Sequence, residues 1–312
     1  MKKLFEGIAS NNHNSISKSI SIIENNYDGN EQLIDFIFNN IKNKAHCIGI
    51  TGPPGAGKST ICNKLIEFFR SRKMSIGLLC VDPSSPFTKG AVLGDRIRIK
   101  NSFNDKKIFL RSFANRGYPG GISSAVFNAC NILDVAGYDI IIIETIGVGQ
   151  IEIDIVNYSD TVILSLVPES GDEIQILKAG IIEIADIFAI NKSDRPGADK
   201  IKTKLNSFIQ INNSKNDWIP KVINTIATQN DGILDLGETI LSHKKFLITK
   251  NIDKRTKAYL KQVKSLIINE SQEYFNEKLI NSYIDKYKKI NKSFPSPNMI
   301  AKKILDQWIV KP

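Results

Sequence analysis

Residues 138–150 read YDIIIIETIGVGQ, four consecutive isoleucines that stop on Glu144 and Thr145. A short unbroken run of β-branched residues suits a strand whose sheet is covered on both faces, so it predicts a central strand of a parallel sheet. Ligands of such sheets sit beyond the carboxyl ends of the strands. A carboxylate at that end is therefore a candidate ligand residue, and Gly147 and Gly149 beyond it supply a loop able to pivot.

The flanking sequence follows the same plan. AHCIGIT (45–51), SIGLLCVD (75–82), KIFLRSF (107–113), TVILSLV (161–167), DIFAINK (186–192) and KVINTIA (221–227) alternate with longer amphipathic stretches. That alternation predicts βαβ units, hence an α/β fold with a mainly parallel sheet and helices on both faces. Residues 1–44 read as helices, with Ile16, Ile20 and Ile23, then Leu33, Ile34, Ile37, Phe38 and Ile41, at helical spacing on either side of the turn NNYDGN. After about Leu241 the strands cease. Leu260, Val263 and Ile267, then Leu279, Tyr283, Tyr287 and Ile290, recur as helix faces; SFPSPN interrupts them before a last helix carrying Ile300, Ile304 and Trp308. The expected organisation is a helical segment over 1–44, a core domain over 45–243 and a helical arm over 244–312.

Composition bounds the function. With 312 residues, 42% of them hydrophobic, the chain can bury a large core. No apolar run approaches the roughly 20 residues of a membrane span, and MKKLFEGIASNNHNS lacks the apolar region of a secretory signal. A cytoplasmic protein without a membrane partner is expected. Cys47, Cys62, Cys80 and Cys130 are widely spaced and accompanied by only three histidines, which argues against disulfides and a zinc site. Cys47 and Cys80 lie in strand-like runs and read as small core residues. The net charge of +10 is all in residues 241–312, which hold 16 Lys and Arg against 6 Asp and Glu. Lysines on helix surfaces are ordinarily solvated, so the excess does not by itself point to a nucleic acid.

GPPGAGKST at 52–60 follows one predicted strand and opens a predicted helix, and it fits G-x-x-x-x-G-K-[ST]. Gly52, Pro53, Pro54, Gly55, Ala56 and Gly57 form a loop whose backbone N–H groups can curl around phosphate oxygens at a helix N-terminus. Lys58 then reaches the outer phosphates, Ser59 can ligate Mg²⁺, and Thr60 follows in the first helical turn. Asn191-Lys192-Ser193-Asp194 has the form N-K-x-D and ends another predicted strand on the same side of the sheet. There an aspartate can accept from guanine N1 and N2, donors that adenine cannot match, which favours GTP and GDP. Asp82 at a strand end, Asp95 in the loop PSSPFTKGAVLGD and Glu144 add oxygen ligands suited to Mg²⁺ beside Ser59.

GPPGAGKST, VDPSSPFTKGAVLGDR, RSFANRGYPGGIS, ETIGVGQIEI, ESGDEIQILKAGIIEIAD and NKSD, in this order, resemble the MeaB/ArgK (MMAA-like) family of P-loop GTPases. The match is close over roughly residues 16–240 and general in the basic tail. It implies a SIMIBI-class P-loop NTPase domain with helical extensions and a GTPase that chaperones an adenosylcobalamin-dependent methylmalonyl-CoA mutase or related acyl-CoA mutase. In that family's terms the protein would gate cofactor loading and protect the mutase, and would form homodimers through the C-terminal arm. Lys58, Asp82, Asp95, Glu144 and Lys178 would serve hydrolysis, Lys178 within a mobile switch. Asn191, Lys192, Asp194 and the backbone of Ala227 would hold guanine. Lys89 departs from the family, where a glycine is common, so the first switch loop differs. Neither a glutamine base nor an arginine finger can be assigned, which implies slow turnover accelerated by a partner. A GTP-dependent metallochaperone would want clustered Cys and His, which this chain lacks. A kinase-like accessory of basic amino-acid transport would want a phosphoacceptor or membrane partner that no feature here requires.

Overall fold

The computed structural model describes residues 1–42, 44–82, 105–114, 121–145, 158–168, 185–212, 218–275, 277–291 and 296–308. Three helices, α1 (Lys2–Ala9), α2 (His13–Glu24) and α3 (Asn30–Asn40), precede β1 (His46–Thr51) and α4 (Lys58–Ser71). Then come β2 (Ile76–Asp82), β3 (Ile108–Ala114), α5 (Gly121–Ala136), β4 (Ile140–Thr145), β5 (Thr161–Leu166), β6 (Ile187–Asn191), α6 (Ala198–Asn212), β7 (Lys221–Thr225) and α7 (Ile233–Thr249). Helices α8 (Lys254–Tyr274), α9 (Glu277–Asn291) and α10 (Pro297–Trp308) close the chain. Two compact units result, Met1–Tyr259 and Leu260–Pro312. The second comprises most of α8 together with α9 and α10.

In the first unit the described strands form one parallel sheet in the order β3-β2-β4-β1-β5-β6-β7. All seven predicted strands are present, and the isoleucine run is β4, between β1 and β2. Alternation along a strand assigns its faces. Ile141 and Ile143 join a core with α5 and the three N-terminal helices, while Ile140 and Ile142 join the opposite core with α4 and α7. All four are completely buried, each side chain stabilising by roughly 1.5–3 kcal/mol before entropy is charged against it. The same period of two puts Glu144 on the α4 side. Cys47 and Cys80 are buried in the two opposite cores, as expected for small apolar residues.

At the amino ends of the strands, aspartates standing immediately before one strand hold its neighbour. Asp139 Oδ2 accepts from Ser75 N (2.7 Å), Asp160 Oδ2 from Cys47 N (2.8 Å) and Asp186 Oδ2 from Val162 N (2.8 Å). Beside them runs a buried chain: His46 Nε2 lies 2.7 Å from Thr161 Oγ1, which lies 2.8 Å from His243 Nδ1. His243 Nε2 faces Asp186 Oδ1 at 3.4 Å. One proton arrangement satisfies the chain with both rings neutral: His46 donates to the threonine oxygen, and the hydroxyl donates to His243.

Burial, with nearby cations second, holds His46 well below its ordinary pKa; burial pushes His243 down to about 4. Because the folded values lie below the unfolded one, this stability is fully present above about pH 6.5 and is lost as pH falls toward 4. Each unit of separation is worth about 1.4 kcal/mol. The melting temperature should therefore fall between pH 6.5 and 4.5, and His243→Gln should make that fall shallower. Equal slopes for both proteins in calorimetry would exclude the histidine chain as the cause.

Candidate nucleotide site

The glycine loop lies between the end of β1 and α4, in the middle of the sheet. Its shape requires glycine at two positions. Gly52 has φ +142°, and a Cβ there would fall 2.1 Å from Ser165 O; Gly57 has φ +83°, and a Cβ there would fall 2.2 Å from Asn191 Nδ2. Substitution at either would clash as well as strain the backbone. Pro53 O accepts from Ala56 N at 3.2 Å, tightening the turn. Lys58 is buried, and its ammonium donates to Gly52 O (2.6 Å) and Pro53 O (3.0 Å), which folds the charge over the loop. Ser59 and Thr60 continue α4 from it.

Glu144 comes to this loop from the neighbouring strand. Ile50 of β1 and Cys80 of β2 are its register partners, and its carboxylate is buried. Ser59 Oγ donates to Glu144 Oε1, joining α4 to the end of β4. Cys80 Sγ lies 4.0 Å from Glu144 Oε2. Burial first, then the Glu144 charge, raises Cys62 well above the ordinary thiol value, so this neighbouring thiol stays protonated. Asp82 closes β2, two residues beyond Cys80. Asp95, Lys178, Lys89, Gly147 and Gly149 lie outside the described residues.

The N-K-x-D motif lies at the end of β6, two strands from β1. Asn191 is buried and held entirely by protein: Nδ2 donates to Ala56 O (2.9 Å), while Oδ1 accepts from Ala227 N (3.1 Å) and Thr225 Oγ1 (3.2 Å). Its amide ties the glycine loop to the loop after β7, and the N–H of Ala227 is engaged by that tie. Ser165 Oγ adds a second tie to Ala56 O at 3.1 Å. Ser165 and Thr225 belong to no motif, and sequence reasoning passed over them. Lys192 has φ +56°, a left-handed conformation that turns the chain sharply past the strand. Ser193 N donates to Thr225 O at 3.1 Å, and Asp194 is exposed just beyond.

The oxygen donors brought together, the Ser59 hydroxyl and the Glu144 carboxylate, match the hard-ligand preference of Mg²⁺. The glycine cradle and the helix N-terminus match an anion such as a phosphate.

A central parallel strand leading through a glycine loop into a helix, within this sheet, makes the chain a P-loop NTPase. It belongs to the MeaB family: the family model described as methylmalonyl Co-A mutase-associated GTPase MeaB matches residues 16–280. A Pyrococcus horikoshii protein named for GTPase activity is 43% identical over 270 residues, covering 85% of each chain. Escherichia coli GTPase ArgK is 28% identical over 281 residues, 88% of this chain and 84% of that one. The mouse methylmalonic aciduria type A homolog, mitochondrial, is 30% identical over 255 residues, 76% of this chain and 61% of the mouse protein. A crystal structure of a LAO/AO transport system kinase superposes with a TM-score of 0.70 at 20% identity over 98% of this chain and 97% of that one, so the fold is shared. The chain is thus a nucleotide-binding GTPase. No described helix is long and apolar enough to cross a membrane.

Proposed function

We propose that this GTPase is a chaperone that gates cofactor loading and protection of an adenosylcobalamin-dependent methylmalonyl-CoA mutase or a related acyl-CoA mutase, with GTP hydrolysis as its timer. The observation that carries the hydrolytic part is the Ser59–Glu144 hydrogen bond, which joins the helix after the glycine loop to the carboxylate ending β4. Backbone N–H groups of the glycine loop, other than at Pro53 and Pro54, and of the first turn of α4 wrap the phosphates, and Lys58 leaves the carbonyls it now meets to neutralise the outer ones. Ser59 and Glu144, with Asp82 and Asp95, would hold Mg²⁺. When bound, that ion offsets negative charge on the phosphate oxygens. Glu144 also orders the attacking water, and positioning with electrostatic stabilisation carries most of phosphoryl transfer. Lys192 and Asp194 read guanine, while Asn191 holds their loop and that of Ala227 against the glycine loop. Lys178 belongs to a switch that responds when phosphate leaves.

Glu144→Gln removes charge from this network and keeps its shape. It should bind GTP within a few-fold of the parent and hydrolyse it about 10- to 100-fold more slowly, a loss in the chemical step and not in binding. Single-turnover hydrolysis at the parent rate would remove Glu144 from the site.

The mutase partnership is supported by membership of a family named for that association. The C-terminal helices α8–α10 supply the dimer arm on this reading. Light scattering of the full chain should report two copies, and the GTP-loaded protein should co-purify an acyl-CoA mutase from its native lysate. A monomer would exclude the dimer arm, and a capture without any such mutase would exclude the partnership.

A further inference from the structure

The first unit contains a cavity of about 670 Å³ at the amino ends of the strands, the opposite end of the sheet from the glycine loop. His46 and Cys47, which begin β1, and Asp160, just before β5, lie in its lining. One wall is aromatic: Phe127 packs on Tyr158 (5.1 Å between ring centres), and Phe38 packs on Phe127 (6.3 Å) and Tyr259 (5.9 Å). Leu247 and Ile248 of α7 add aliphatic surface.

Two polar groups in this lining make no ion pair or hydrogen bond among the described residues. Lys244, on the same helix, makes no ion pair there, although Asp139 and Asp160 are near enough to attract it. Burial lowers its pKa from the ordinary lysine value, and those two carboxylates only partly oppose this. Asn131 of α5 is nine-tenths buried, and its side-chain nitrogen has no hydrogen-bond partner. A buried amide donor left unpaired costs about 1–3 kcal/mol. The histidines and aspartates nearby are already satisfied within the fold: Asp160 by the Cys47 N–H and the Arg255 guanidinium (3.7 Å), and His46 by Thr161.

We propose that this cavity is a second ligand site, separate from the nucleotide site, for a small organic anion with an apolar or aromatic body. Lys244 pairs with its carboxylate, and the aromatic wall covers the body. The volume lies within the range of small-molecule pockets, which are mostly apolar with a few placed polar groups. An occupant would rest on β1 and α7, elements whose other ends lead to the glycine loop and to the Ala227 loop.

The test is calorimetric titration of the full chain with 4-phenylbutyrate and with 4-phenylbutan-1-ol, which share a body and differ in the charged group. The acid should bind at least about 10-fold more tightly than the alcohol. Lys244→Met should remove that preference while leaving the alcohol and GTP affinities unchanged, and Lys244→Arg should keep it. Equal binding of acid and alcohol by the parent protein, no binding of the acid, or an undiminished preference in Lys244→Met would each overturn the proposal. The first two need no variant to fold.

Discussion

Lys58→Ala is expected to lower GTP and GDP affinity by about 100-fold or more, with the fold intact. The side chain is buried against the glycine loop, where its ammonium donates to the carbonyl oxygens of Gly52 and Pro53. Carbonyl dipoles hold a cation less firmly than phosphate does, so the lysine is poised to exchange one set of acceptors for the other. Charge-assisted hydrogen bonds are worth about 1.5–3 kcal/mol each, and 100-fold corresponds to about 2.7 kcal/mol. The loop itself should survive, because Asn191 and Ser165 anchor Ala56 without the lysine. Fluorescent-nucleotide titration measures the loss, and near-parent affinity with an unchanged melting temperature would place the phosphates elsewhere.

Asp194→Asn should change which base is preferred. Asp194 is exposed just past the left-handed turn at Lys192. A carboxylate there accepts from both guanine donors. An asparagine keeps one acceptor and presents a donor where guanine also donates, so GTP affinity should drop about 100-fold or more. Xanthine offers an oxygen at that position, so the variant should bind xanthosine triphosphate more tightly than GTP. A variant that retains GTP preference would show that Asp194 does not read the base.

The unbroken isoleucine run of β4 was enough to read a buried central strand of a parallel sheet that ends on Glu144, because a contiguous apolar run is a local property; the α4 side on which Glu144 emerges follows only from the assembled cores. The glycine loop was legible for the same reason: its residues are consecutive, and each has a chemical task. Asn191 shows where local reading stops. Its motif suggested contact with guanine; the structure adds that its amide spans Ala56 and Ala227, and the partner at Ala56 is 135 residues away. No pattern along the chain encodes that closure. The His46–Thr161–His243 chain was invisible likewise, since its members come from β1, β5 and α7 and meet only once the sheet is assembled. The carboxylates before the strands look in sequence like ordinary turn residues, although each holds the backbone of a neighbouring strand.

The central claim is a P-loop site, built on β1 and completed at the end of β6, that selects guanine nucleotides. Competition against a fluorescent guanosine diphosphate with Mg²⁺ present tests it most directly, using the unmodified chain. GTP should displace the probe at a concentration at least about 100-fold lower than ATP, a gap of about 2.7 kcal/mol. Displacement by ATP at the same concentration as GTP would contradict the account.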